Sequence, residues 1–186
     1  MIKTVAVFSI LFFLNACSSI KNAGVAYHDS FDFSAVQSYS FYDRNSSFTE
    51  VQSLLDSRRN TIEMAIEKAM ANQEFSYVEV EQADVIVAYH VLKGSRTDYS
   101  SYNKWVHFCP HCLRASAWIK DNKYSAATHG SLIVDIVDPK KKRSVWRSIY
   151  PLNIKGKDNS AKSNDKIQQA VATMLAQYPT TNTKRK

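Results

Sequence analysis

Glycine is scarce in this chain: four residues in 186, Gly24, Gly94, Gly130 and Gly156, the closest two 26 positions apart. No loop therefore holds two glycines. That excludes the dinucleotide fingerprint, the P-loop and the nucleophile elbow, which need closely spaced glycines for tight turns and close backbone approach. No His is followed by Glu, so the helical two-histidine zinc protease motif is absent as well. Cysteine is nearly as rare, and its three copies resolve into a lone Cys17 and the close pair Cys109 and Cys112. Long apolar runs are missing too. Residues 5–14 (VAVFSILFFL) are broken by Ser9, and ten helical residues rise about 15 Å, half of a hydrocarbon core. Such a segment cannot span a membrane.

What is present at the N-terminus is an address. Lys3 precedes the apolar stretch, which is the pattern of a secretory signal. It ends Leu14-Asn15-Ala16-Cys17, which resembles the lipobox of bacterial lipoproteins. The resemblance implies a signal peptide over residues 1–16, a diacylglyceryl group on the Cys17 thiol and an acylated new amino terminus. Several acyl chains anchor a protein stably, whereas one binds only marginally. By the same resemblance Ser18, with no Asp after the cysteine, implies the periplasmic face of the outer membrane. A lipid-attached linker over residues 17–24 would join the anchor to a single domain over residues 25–179, ahead of a polar basic tail at 180–186.

Only Lys3 is lost with the signal, so the net charge of +7 becomes +6. That balance suits an envelope protein, a glycan or lipopolysaccharide as partner, besides the membrane itself. It is too mild to argue for nucleic acid. The full chain is 45% hydrophobic, and the 170 residues left after the signal are enough to build a core without staples.

Periodicity predicts strands near residues 25–33 and 36–42, and a helix from a capping box at Thr49 and Gln52 to about Asn72. Strands follow near 75–80 and 85–92, the latter apolar at nearly every position, as for a strand covered on both faces. Two more, at 131–137 and 144–150, flank a turn. A last helix over 164–177 places Ile167, Ala170, Val171, Met174, Leu175 and Tyr178 on one stripe. The expected fold is α+β: one mostly antiparallel sheet covered by two amphipathic helices, with a long aromatic-rich loop at 94–129 between strands.

Four segments in order carry a further resemblance: Phe31-Asp32-Phe33-Ser34 with Ser38-Tyr39-Ser40-Phe41; Gln82-Ala83-Asp84 leading into Val85 to Tyr89; residues 130–139 running to Trp146-Arg147; and residues 167–179. Behind a lipobox they resemble the bacterial lipoprotein family catalogued as domain of unknown function 4136. The resemblance implies an exported, membrane-anchored domain without an established activity. Ser148 departs from the glycine that follows Trp-Arg in the family pattern.

The chemically sharpest motif is Cys109-Pro110-His111-Cys112, similar to the active site of periplasmic thiol oxidases. A thioredoxin-like fold needs a strand-helix-strand unit around that motif, and the order of elements here does not supply one. Four readings of the pair stay open: a disulfide, a thiol-redox centre, a zinc site completed by His107, His111 or His129, and two free thiols. Closing so small a loop, a disulfide contributes only about 2 kcal/mol. No other cofactor and no catalytic residue is expected. Tyr99, Tyr102, Trp105, Phe108, Trp118 and Tyr124 surround the motif, either as a binding surface or folded onto the sheet. His90 reads as a core histidine. The 140–143 basic run reads as a solvated turn or a contact for lipid phosphate.

Overall fold

The computed structural model describes residues 24–44, 52, 54–109, 112, 114–115 and 129–179. Among them seven strands form one sheet: β1 (Gly24–Tyr27), β2 (Ser38–Phe41), β3 (Ser76–Tyr77), β4 (Val85–Val91), β5 (Arg114–Ala115), β6 (Ser131–Asp138) and β7 (Arg143–Pro151). Three α-helices accompany it: α1 (Asp56–Ala71), α2 (Arg96–Trp105) and α3 (Ser160–Leu175).

The strands lie in the order β3-β2-β4-β6-β7-β1-β5. The α+β class stands, but the sheet is mixed and not the mostly antiparallel one expected. β2 runs parallel to both β3 and β4, while the other pairings are antiparallel. The cause is α1: the chain leaves β2, crosses one face as a helix and returns in the same direction. β6 and β7 form the expected hairpin, with Val145 an extra residue at the step between Ile136 and Val137.

Strand alternation sends Val85, Val87, Tyr89, Leu132, Val134 and Ile136 to one face, and Ile86, Ala88, Ile133 and Val137 to the other. The first face is covered by Ile62, Ile66 and Met70 of α1 and by Ile167, Val171 and Met174 of α3. The second is covered by Tyr102 of α2 and by Val106 and Phe108 just after it. Here lies the second correction. Residues 94–129 are not one loop, because α2 and β5 lie within them, and the sheet is covered by three helices instead of two. α2 escapes periodicity because it buries only Tyr102 among its ten residues. Its one sequence signal is the cap, where the Ser95 hydroxyl accepts from the Asp98 N–H at 3.0 Å. Thr49, of the expected capping box, falls outside the described residues; α1 starts at Asp56, behind Leu55, which makes no side-chain cap bond.

The segments that carry the family resemblance tie remote elements together. The Asp84 carboxylate, at the start of β4, accepts from the backbone N–H groups of Gln37 (3.0 Å) and Ser38 (2.9 Å) and from the Ser38 hydroxyl (2.8 Å). Those bonds hold its carboxyl below the usual carboxylate range. Asp32 caps the 3-10 turn at Phe33–Ala35. Phe33 meets Tyr178, beyond α3, edge-on with ring centroids 5.4 Å apart.

Scarce glycine leaves its mark on the backbone. Glu74, His107, Lys142 and Asn153 all adopt positive φ. Glu74 ends α1 in a Schellman motif: its N–H reaches the Ala71 carbonyl at 3.0 Å, and the Phe75 N–H reaches Met70 at 3.1 Å. An L-residue in this left-handed position costs about 1–2 kcal/mol, part of which glycine gives back in unfolded-state entropy. Glu74→Gly is therefore expected to stabilise the protein by about 0.5–1 kcal/mol in urea unfolding, with an unchanged m-value. A loss of stability would show that the exposed Glu74 side chain contributes more than its backbone costs.

Candidate functional site

The β6/β7 register sets Asp135 opposite Arg147 on the face beneath α2. Both side chains are fully buried. Arg147 Nε donates to Asp135 Oδ1 at 2.8 Å and Oδ2 at 3.1 Å. The carboxylate also accepts from the Tyr102 hydroxyl at 2.8 Å and from the Ser144 hydroxyl. Arg147 Nη1 donates to Asn103 Oδ1 at 2.6 Å, and the guanidinium lies 3.5 Å above the Phe108 ring centroid. That is a cation–π contact in a water-poor place, where such contacts are strongest.

Burial works against the Arg147 charge, but Asp135 and the neighbouring tyrosine oxygens outweigh it and hold the guanidinium above its ordinary value. Burial, then the Asp135 charge, pushes the Tyr102 phenol well up, so it stays a donor. His90 of β4 stacks on Tyr102 with centroids 4.8 Å apart and planes 14° apart. Its Nε2 lies 2.9 Å from Asp98 Oδ1, and its Nδ1 has no hydrogen-bond partner. Burial lowers its pKa against the pull of Asp98, with Lys93 and Arg147 adding to the lowering. The neutral ring with its proton on Nε2 donates to the Asp98 carboxylate.

A smaller polar cluster sits on the opposite face. The Tyr89 hydroxyl and Arg44 both bond Glu63, while Arg59 donates to Gln52, whose amide donates to the Tyr89 carbonyl at 2.5 Å. Gln52 is helical, and its side chain fastens the chain ahead of α1 to β4; Thr49, its expected capping-box partner, lies outside the described residues.

Cys109 and Cys112 form a disulfide with Cα atoms 5.3 Å apart. In this state neither sulfur is a thiolate. His107 ends α2 in left-handed conformation: its N–H reaches Lys104 at 3.3 Å and the Phe108 N–H reaches Asn103 at 2.9 Å, a second Schellman motif. His129 Nδ1 lies 2.9 Å from the Lys93 carbonyl oxygen. His111 and Cys17 lie outside the described residues, as do Trp118 and Tyr124. Among the described residues no three His, Cys, Asp or Glu side chains gather as a metal site.

Asp135 and Arg147 belong to no catalytic or metal-binding motif in the sequence and are not among the expected site residues. The available signal was a charge of each sign inside two facing apolar strands. Chemically the cluster is buried: Asp135, Tyr102, Ser144 and Asn103 bond one another or Arg147 beneath α2, and Arg147 Nη2 alone of its guanidinium nitrogens finds no hydrogen-bond partner among the described residues.

The model of the family described as "Domain of unknown function (DUF4136)" matches residues 24–180. The chain belongs to the DUF4136 family. A search of curated proteins finds no match. Among solved structures, this DUF4136 chain is similar to a PDZ domain protein from Parabacteroides distasonis, at 12% identity and a TM-score of 0.47. The likeness covers 84% of this chain but only 35% of that one. It is also similar to a DUF4136 family protein from Bacteroides thetaiotaomicron, at 12% identity and a TM-score of 0.48, covering 81% of this chain and 90% of the other.

Two predictions test the energetics of this DUF4136 core. Asp135→Ala leaves the Arg147 charge buried and is expected to cost about 3–5 kcal/mol in urea unfolding. Adding Arg147→Met should recover much of that loss; a double variant as unstable as the single one would show that packing dominates. His90 sets a pH dependence. Its folded pKa lies below the unfolded 6.5, so the native state binds fewer protons between those values. Stability is then full above pH 6.5 and falls as pH drops through 6.5 toward the folded pKa. His28, lowered by burial and by Arg143 and Lys141, adds in the same direction. His90→Gln should flatten the slope below pH 6.5 in urea midpoints, leaving the His28 part.

Proposed function

We propose that this DUF4136 domain is the non-catalytic, contact-making part of a lipoprotein held at the periplasmic face of the outer membrane by acyl chains on Cys17. The observation that carries the non-catalytic reading is the burial of the Asp135–Arg147 cluster beneath α2, where the Asp135 carboxylate is taken up by Arg147, Tyr102 and Ser144. A general acid or base must reach a substrate proton within hydrogen-bonding distance. Contact surfaces are present instead. A groove of about 660 Å³ runs between α1 and α3, floored by Ala65, Ala69, Ala172 and Ala176 and rimmed by Lys68 and Gln169. Its chemistry suits an envelope protein or a glycan. The anchor reading is supported by the lipobox-like residues 14–17 and by the described helices, none of which is long and apolar enough to cross a membrane.

The alternative of a thiol-redox or zinc-binding lipoprotein draws on one observation, the Cys109–Cys112 disulfide with Cys112 exposed. Intact mass of the protein from membranes should give an N-terminal Cys17 carrying acyl chains, and Cys17→Ala should move the protein to the soluble periplasmic fraction. An unmodified Cys17 in membrane-extracted protein would falsify the anchor. Equilibration with glutathione buffers and zinc analysis separate the alternative: a disulfide resistant to reduction, in a protein without stoichiometric zinc, supports the non-catalytic reading.

A further inference from the structure

We infer that the end of the sheet where β1 begins is a docking surface for anionic phospholipid headgroups, holding the domain upright on the membrane that carries its anchor. The inference rests on the Cys17 anchor proposed above. The strand register gathers several chain segments at that end. Gly24 pairs with Ile149, Val91 with Leu132, and Ser131 with Pro151. The Leu92 and Gly130 backbones are bonded there, and Leu152 N–H reaches Gly130. α1 and α3 also begin at this end, running side by side in the same direction. Thr61 meets Asn164 near their starts, and Gln73 meets the Leu175 carbonyl near their ends.

The seven residues from Cys17 to Gly24 reach at most about 25 Å when fully extended. The opposite end of the sheet, with the 139–142 turn, lies one β6 length further, about 26 Å for eight residues. An acylated Cys17 therefore favours the β1 end toward the lipid, because the far end could approach the lipid first only with the linker fully extended.

Charge at the two ends differs. The β1 end presents Arg58, Lys93, Arg96, Lys155 and Lys157, with Leu55 79% exposed at the start of α1. A shallow groove of about 270 Å³ between Leu54, Arg58, Ile154 and His129 lies among them. Of the acids at this end, Asp98 accepts from His90 and the Lys93 N–H, and Asp158 holds Lys162 and Lys166, while Asp56 is exposed at the start of α1 and offsets only part of the basic excess. At the far end the 140–143 basic run is offset by Asp29, Asp32, Glu81, Asp84 and Asp138, the last of which accepts from the Lys140 and Lys141 N–H groups. A basic patch beside an apolar side chain, next to a lipid anchor, is the combination that anionic headgroups hold.

The test uses the full lipoprotein reconstituted into vesicles of phosphatidylcholine, with or without phosphatidylglycerol, and lysine acetylation read peptide by peptide. With phosphatidylglycerol, labelling of Lys155 and Lys157 should fall roughly fivefold and recover at high salt, while Lys140, Lys141 and Lys142 change less than about twofold. Equal labelling in the two vesicle types, or protection of residues 140–142 instead, overturns the surface. The mass of Cys17 in the same sample reads the anchor separately. An unacylated Cys17 brings down the anchor and this inference with it; an acylated one with equal labelling brings down the surface alone.

Discussion

Taking a carboxylate and a guanidinium out of water costs several kcal/mol per ion, and only close pairing with further hydrogen bonds compensates. The Asp135–Arg147 pair sits on the central strand β6 and its neighbour β7, on a face that solvent would reach if nothing covered it. Much of that face follows from this constraint. α2 is mostly polar, yet it lies there because Tyr102, Asn103 and Tyr99 supply the donors and acceptors that the pair needs. Phe108 closes the remaining side as an aromatic plate. The cover is held by polar satisfaction more than by apolar area, the reverse of the face under α1 and α3.

The same logic gives a physical content to the family signature. Asp84 bridges β4 to β2, Asp32 caps the turn before β2, Phe33 and Tyr178 join the first described elements to the last, and Asp135 with Arg147 fixes the central hairpin. These residues come from all four segments that carry the resemblance. Their work is to close the fold, so a sequence pattern that identifies the domain says little about a ligand. Function, if it is contact, belongs to surfaces the pattern does not mark, such as the groove between the two parallel helices and the basic end of the sheet.

How legible this was in the sequence differs between the faces. Residues 85–92 announce a strand because they are apolar at nearly every position, residues 131–137 and 144–150 because they are rich in branched and aromatic side chains around a turn, and the α3 stripe is written at helical spacing. The direction of β2 was not legible, since parallel and antiparallel neighbours bury the same residue types. α2 was missed because one buried tyrosine gives no period, and β5 because two residues give none. The ion pair was hidden differently. Counting back from the turn, the extra residue Val145 shifts the register by one, so strict pairing from the sequence would not set Asp135 against Arg147.

The disulfide takes its meaning from that same cover. α2 ends on Val106, and His107 turns the chain through the left-handed region so that Phe108 can lie beneath Arg147. Cys109 follows at once, and the Cys112 N–H reaches back to the Cys109 carbonyl at 3.1 Å. A crosslink over three residues restrains little of the unfolded chain, but it narrows the paths by which the backbone can leave Phe108. Between a wide-loop staple and a local clamp, this placement favours the clamp. A glycine at position 107 would make the turn without strain and also let it unwind. With histidine there and a disulfide beyond it, a chain poor in glycine holds the aromatic plate in place over a charge that must stay dry.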